Sequence, residues 1–148
     1  MSKVVIYLAD LTHTGNGVAT ESMPLNIGLI ASYAKKIFGN KIEISLFKYP
    51  DDLLLSLNKR RPDLLGFSNY TWNSNLSYYI TKYAKLMYPD TVTVWGGTNY
   101  PFDNINQEIF LRARPSLDVH IYYEGEQSFV AIIKRFMEKN KVKNLFHT

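Results

Sequence analysis

The 148-residue chain contains no cysteine. This absence excludes disulfide scaffolds, thiolate zinc sites, cysteine nucleophiles and cysteine-ligated iron–sulfur clusters, so redox or metal chemistry needs a bound cofactor or other ligands. Long hydrophobic runs are also missing, because Asp10 interrupts the apolar N-terminal run Val4–Ala9 before it could span a bilayer or form a signal-peptide core. These absences predict a cytoplasmic protein with no membrane partner.

Positive charges exceed negative charges only slightly, with 17 Lys and Arg against 13 Asp and Glu. The basic residues concentrate at 59–61 and 134–143, and they do not form a stripe interleaved with stacking aromatic rings. We therefore expect no nucleic-acid partner. The length fits one domain, which we place at residues 1–139, followed by a tail or truncated linker at 140–148.

Short apolar runs alternate five times with segments of helical periodicity, which predicts five strand–helix units. The predicted strands cover residues 3–9, 41–47, 63–68, 91–95 and 118–123. Near-continuous apolar strands separated by helices form parallel sheets that are covered on both faces. The pattern predicts a three-layer, Rossmann-like (flavodoxin-like) α/β fold, with a parallel five-stranded sheet in the order 2-1-3-4-5.

In such a fold, ligands bind beyond the carboxyl ends of the strands. This rule selects the loops Asp10–Met23, Asn69–Asn73, Gly96–Phe102 and Tyr123–Gln127. The candidate cofactor-binding residues in or beside these loops are Asp10, His13, Thr14, Gly15, Ser68, Asn69, Tyr70, Trp72, Asn73, Gly96, Gly97, Thr98, Glu124, Gly125 and Glu126.

Each loop has a functional and a structural interpretation. Glycines admit a ligand to the backbone or make a tight turn, and the aromatic rings Tyr70 and Trp72 can cover a flat apolar ligand or close the end of the sheet. Asn73 suits a helix N-cap, and an acidic residue such as Glu126 suits a helix N-terminus. His120 alternates with apolar residues in strand 5, which indicates a packed or hydrogen-bonded histidine.

Four motifs in order resemble the N-terminal cobalamin-binding domain of B12-dependent radical SAM enzymes, over residues 3–138. They are PLNIGL at 24–29, GFSNYTWN at 66–73, WGGTNYP at 95–101, and PSLD at 115–118 followed by EGEQSF at 124–129. The resemblance implies a corrin ring on the carboxyl edge of the sheet and a nucleotide tail that enters beside strand 1.

Carried over residue by residue, the resemblance assigns three groups of contacts. Ser68, Tyr70, Trp72 and Asn73 would contact the corrin or the tail, Gly96, Gly97 and Thr98 would admit the tail, and Glu124–Glu126 would edge the pocket. Cobalamin domains of mutases carry Asp-x-His-x-x-Gly after strand 1. Here Asp10 and Gly15 keep that spacing, but the histidine is His13, one residue late, so no metal ligand is assigned.

The relatives continue into a barrel whose three cysteines hold a cluster, and this chain contains no cysteine. The resemblance therefore implies a cofactor-binding module without catalysis of its own, which acts with a radical SAM domain or protein in cis or in trans.

Two other functions fit the same fold. The run Thr12–Asn16 is similar to a flavodoxin phosphate loop, which would make the chain an FMN-binding electron carrier, although Pro24 indicates a helix that starts too late. A B12-like domain that has lost its ligand and binds only a protein partner is the other alternative. A receiver domain is disfavoured because strand 3 ends without a phosphoacceptor aspartate.

Overall fold

The structure, a computed structural model, describes residues 2–14 and 23–145. It confirms the predicted fold: five parallel strands form one sheet in the order β2-β1-β3-β4-β5, and helices cover both faces. The strands are β1 Val4–Ala9, β2 Ile42–Phe47, β3 Leu64–Ser68, β4 Val92–Gly96 and β5 Val119–Ile121. The helices are α1 Leu25–Phe38, α2 Pro50–Lys59, α3 Ser74–Met87, α4 Asn104–Arg112 and α5 Gly125–Leu145.

The central strand β1 explains why its sequence is apolar at every position. All six of its residues are buried, because successive side chains point to opposite faces of a sheet that is covered twice. Leu8 and its alternate neighbours pack with α1 and α5, whereas Tyr7 and its alternate neighbours pack with α2 and α3. The core therefore consists of two layers, one on each side of the sheet.

Helix boundaries follow local chemistry. Pro50 stands at the start of α2, where its missing N–H costs nothing, and Asp51 follows it in the first turn. The side chain of Asp103 caps α4 by accepting a hydrogen bond from the Asn106 N–H at 2.9 Å. The start of α2 therefore depends on residues of its first turn, and the start of α4 on a side-chain cap.

The predicted fifth strand, residues 118–123, was too long. β5 is limited to Val119–Ile121. Before it, the Asp118 carboxylate accepts the Thr93 N–H at 2.8 Å, and after it Tyr123 turns the chain with φ 64°. The tail expected from residue 140 is helical as far as Leu145, since no glycine or proline interrupts it. Its role as a linker stays a prediction. Within the described ranges no helix, α5 included, is long and apolar enough to cross a membrane.

Candidate cofactor site

A cavity of about 260 Å³ opens at the carboxyl edge of the sheet, on the side covered by α1 and α5. Its walls come from the ends of β1, β3, β4 and β5, from one face of α1 and from the start of α5. The sequence rule that selected this edge therefore led to a cavity, and a second one of about 280 Å³ lies at the same edge, lined by Asp10, Tyr70 and Trp72 among others.

The cavity exists because neighbouring strands carry small residues on the same face. Gly66, Ser68 and Gly96 follow the alternation that places Leu8 and Val94 toward α1 and α5. A Cβ on Gly66 would lie 2.6 Å from the Leu8 Cδ2, whereas a Cβ on Gly96 would make only an ordinary contact. The Leu8 side chain therefore takes the place of a side chain at Gly66, whereas the missing side chain at Gly96 leaves space.

The interior of the cavity is apolar and its mouth is mixed. Leu8, Val94 and Phe129 line it and are at most 3% exposed, while Leu29 and Tyr123 line it and are 51% and 80% exposed. Glu124, Gly125 and Glu126 also line the cavity, beside Tyr123.

The volume selects the kind of ligand group that fits. Pockets for whole small molecules run from roughly 300 to 1,000 Å³, so the cavity can take one arm of a large cofactor but not a macrocycle. The buried Ser68 lines it and offers a hydroxyl among apolar walls. A flat heterocyclic arm with few polar atoms suits this lining, and a wide ring would have to lie outside on the rim.

Two aromatic rings stand on the rim beside the cavity. Tyr70 and Trp72 stack with centroids 4.5 Å apart and planes inclined by 8°, and Trp72 is 63% exposed. Asn26 of α1 donates a hydrogen bond to the Tyr70 hydroxyl. Burial raises the pKa of Tyr70, and the nearby Asp10 acts in the same direction. The stack presents a flat apolar face to a ligand and does not plug the cavity.

The loop after β1 is described only as far as Thr14, so Gly15 lies outside the described residues. Burial raises the pKa of Asp10, and Lys48 opposes this effect. The exposed His13 uses its Nε2 to donate to the Trp72 carbonyl at 2.6 Å. One nitrogen of the ring is therefore committed to the backbone, and His13 makes no contact with Asp10 of the kind that orients a metal-binding histidine.

Two of the predicted site residues are turned inward. Asn69 and Asn73 are fully buried, and neither lines the cavity. Asn73 accepts from the Tyr70 N–H at 2.8 Å and donates to the Leu11 carbonyl at 3.3 Å, so it ties two loops together. These side chains contact the loops around the cavity and not the cavity itself. Thr98 is exposed on the rim, outside the cavity lining.

His120 is a packed histidine, as its alternation in β5 predicted. Its ring stacks on Tyr100 with centroids 3.8 Å apart and meets Phe110 edge-on. Burial lowers its pKa to about 4. It lies opposite Trp95 in the strand register and belongs to the support of the loops.

The sequence reasoning missed most of the apolar lining of the cavity. Gly66 and Asn26 were noticed only as parts of motifs, and Ile30 of α1 was not considered as a site residue. A signal for Gly66 was available, because Gly66, Ser68 and Gly96 share one face by strand alternation. Nothing in the sequence indicated that Ile30 approaches Gly125, where a Cβ would lie 3.0 Å from the Ile30 Cδ1.

The described part of the chain contains no group of three or more histidine, aspartate or glutamate residues that could hold a metal ion. Of the segment that was compared with a phosphate loop, the structure describes Thr12–Thr14, and the first helix in the described residues after it is α1, which begins at Leu25.

Comparison with known proteins finds relatives of this sequence. The chain is 30% identical over 113 residues to a cobalamin-dependent radical SAM methyltransferase, TokK, of Streptomyces tokunonensis, covering 72% of this chain and 16% of that protein. It is 27% identical over 115 residues to 2-(S-pantetheinyl)-carbapenam-3-carboxylate methyltransferase of Streptantibioticus cattleyicolor, covering 75% of this chain and 16% of that protein. The chain thus spans about a sixth of the length of these relatives.

Solved structures share the fold at low identity. A cobalamin-binding protein of Desulfitobacterium hafniense superposes with a TM-score of 0.62 at 12% identity, over 91% of this chain and 59% of that one. A signal receiver domain from Pseudomonas fluorescens gives 0.66 at 11% identity, over 95% and 98%. The fold alone therefore does not separate cofactor binding from signalling.

The sequence does separate them. The B12 binding domain family matches residues 14–133. This range includes three of the four loops at the carboxyl edge completely, the first loop from residue 14, and the parts of α1 and α5 that line the cavity. The chain belongs to the B12-binding domain family.

Proposed function

We propose that this chain is the cobalamin-binding module of a radical SAM methyltransferase-type system. The corrin ring would lie on the carboxyl edge of the sheet, and the nucleotide tail would enter the cavity. The observation that carries the proposal is the apolar cavity formed where Gly66 and Gly96 leave out side chains on one face of the sheet.

The residues at the edge divide into two groups by position. Ser68, Gly96 and Gly97 line the cavity and would contact the tail, and Glu124–Glu126 would edge its entrance. Around the cavity, the rim would face the corrin through the Tyr70–Trp72 stack, through Thr98 and through the polar segment from Asp10 to His13 and Thr14. Asn69 and Asn73 would act from behind through the loops they hold.

When bound, the cofactor supplies a metal centre that carries the methyl group, which is chemistry this polypeptide lacks. The chain's own residues bind and orient the ring, and the apolar walls exclude water. His13 is not proposed as a ligand to cobalt, because its Nε2 already donates to the Trp72 carbonyl. Radical formation would come from a radical SAM domain, in cis or in trans.

Spectral titration with hydroxocobalamin tests the proposal. We expect a saturable change in the visible bands with a dissociation constant below about 50 µM, the range of a modest specific site. Cobinamide, which has the corrin but no nucleotide tail, should bind at least about tenfold more weakly. Absence of binding at these concentrations would overturn the proposal, and an FMN mass released from the denatured protein would favour an electron carrier in its place.

A matched pair of variants tests the cavity itself. Gly96→Val places a side chain in the cavity, where its Cβ makes only an ordinary contact with Ile121 at 3.8 Å. Gly28→Val makes the same change on α1, with nothing within 4 Å of its Cβ and outside the cavity lining. Only Gly96→Val should weaken cobalamin binding, and neither should alter cobinamide binding. Equal effects of the two variants would refute the tail assignment.

A further inference from the structure

The turn after β4 is bound to Asn69 by hydrogen bonds in both directions. The Asn69 N–H donates to the Gly96 carbonyl at 2.5 Å, and the Asn99 N–H donates to the Asn69 carbonyl at 3.2 Å. The side chains add a reciprocal pair: Nδ2 of Asn69 donates to the Asn99 carbonyl at 2.6 Å, and Nδ2 of Asn99 donates to Oδ1 of Asn69 at 3.3 Å. We call these bonds the Asn69–Asn99 clamp.

The clamp surrounds Gly97, whose backbone conformation is not stable by itself. Gly97 has φ 128°, which side-chain-bearing residues rarely adopt, and a Cβ there would lie 2.6 Å from the Asn69 carbonyl oxygen. The same turn supplies Gly96 and Gly97 to the cavity wall. The clamp therefore holds the Gly97 part of that wall, and Gly96 is held in addition by its pairing with β3 and β5.

Asn69 acts on the cavity only through this turn. Its side chain is 0% exposed and does not line the cavity. Its Nδ2 lies 3.5 Å from Nε2 of His120, a residue whose ring is stacked against Tyr100. A change at Asn69 thus removes no atom that a ligand in the cavity would touch.

We propose that the Asn69–Asn99 clamp is a positioning device that sets the preference of this site for corrinoids with a nucleotide tail over corrinoids without one. The inference rests on the proposed function, since it concerns the same cavity. A glycine wall allows close approach only while it is held in place, and a wall that must be ordered on binding loses affinity. A ligand that stays on the rim does not depend on that wall.

Asn69→Ala tests the inference, with dissociation constants for cobalamin and cobinamide measured side by side. The variant should raise the dissociation constant of cobalamin by at least about tenfold and leave that of cobinamide within about twofold. Asn99→Ala removes only the bond to Oδ1 of Asn69 and should shift the ratio in the same direction by less. It also provides the measurement if Asn69→Ala does not fold.

Thr91→Ala is the matched control. Thr91 is also 0% exposed, and its Oγ1 donates to the Pro62 carbonyl at 2.7 Å, so it ties the chain together at the opposite, amino ends of β3 and β4. It should lower the stability of the fold without changing the ratio of the two dissociation constants.

The outcomes separate the two proposals. A wild-type chain that fails to bind cobalamin, or that binds cobinamide equally well, refutes the proposed function. Normal wild-type discrimination that survives in folded Asn69→Ala and Asn99→Ala refutes the clamp alone. A shift of the ratio by Thr91→Ala as large as that by Asn69→Ala would also refute it, because general loosening of the sheet would then be sufficient.

Discussion

His120 makes the stability of the fold depend on pH in a defined window. Its ring stacks on Tyr100 with planes inclined by 8° and meets Phe110 at 5.8 Å. Burial lowers its pKa from 6.5 to about 4, the Arg114 cation acts in the same direction, and a hydrogen bond with the backbone of Ile121 opposes them. The folded protein therefore holds this histidine neutral under conditions in which the unfolded chain takes up a proton.

The sign and size of the effect follow from that difference. Between about pH 4 and pH 6.5 the unfolded state binds more protons, so the free energy of unfolding rises with pH. The difference between 6.5 and about 4 converts to about 3 kcal/mol, at 1.36 kcal/mol for each pKa unit. This contribution is fully present above pH 6.5 and is lost as the pH falls to about 4.

Urea denaturation of the wild type and of His120→Phe, followed by circular dichroism at a series of pH values between about 4.5 and 7.5, measures this contribution. Phenylalanine keeps a ring against Tyr100 but cannot titrate, so the carboxylates shared by both proteins cancel in the comparison. The wild type should gain most of about 3 kcal/mol relative to the variant across the window. Parallel pH profiles would refute the reasoning, because they would mean that the histidine is protonated in the folded protein at no cost.

Two further substitutions test the loops at opposite ends of β4. Gly97→Ala should destabilise the fold by about 1–3 kcal/mol in urea denaturation, since its φ is 128° and its Cβ would lie 2.6 Å from the Asn69 carbonyl. The control Gly28→Ala lies in open space on a helix and should stabilise the fold by about 0.5–1 kcal/mol. Changes of the same sign in the free energy of unfolding of the two variants would contradict this prediction. Asp118→Ala should lower the free energy of unfolding by about 1–3 kcal/mol, because it leaves the buried Thr93 N–H without its 2.8 Å partner. Asp118→Asn keeps an acceptor oxygen and should lower it less. Equal losses of stability in the two variants would indicate that the charge matters more than the hydrogen bond.

The fold was predictable from the sequence because its strands carry redundant signals. The run Val4–Ala9 has no polar residue and is buried at every position, as a central parallel strand requires. The ends of the edge strand β5 were less predictable. This strand has only one neighbour in the sheet, and it is bounded by the bond between Asp118 and Thr93 and by the turn at Tyr123. Contacts between side chains that are distant in sequence decide such ends.

The candidate site was predictable as a place but not as a set of contacts. Polar residues after buried strands indicated the right edge, yet a polar loop residue can turn outward to a ligand or inward to satisfy the backbone. Trp72 turned outward, whereas Asn69 and Asn73 turned inward. Residue type does not decide between the two, because both satisfy the rule that buried polar groups must be hydrogen-bonded.

The cavity shares its walls with the hydrophobic layer beneath α1 and α5, since Leu8, Val94 and Phe129 belong to both. A ligand that enters the cavity would complete that layer, so ligand binding and folding would be linked equilibria. A ligand at a hundred times its dissociation constant adds about 2.7 kcal/mol to a native state. A cofactor arm bound there would therefore act as a missing piece of the protein's interior, and how long the chain survives in a cell would follow the supply of corrinoid.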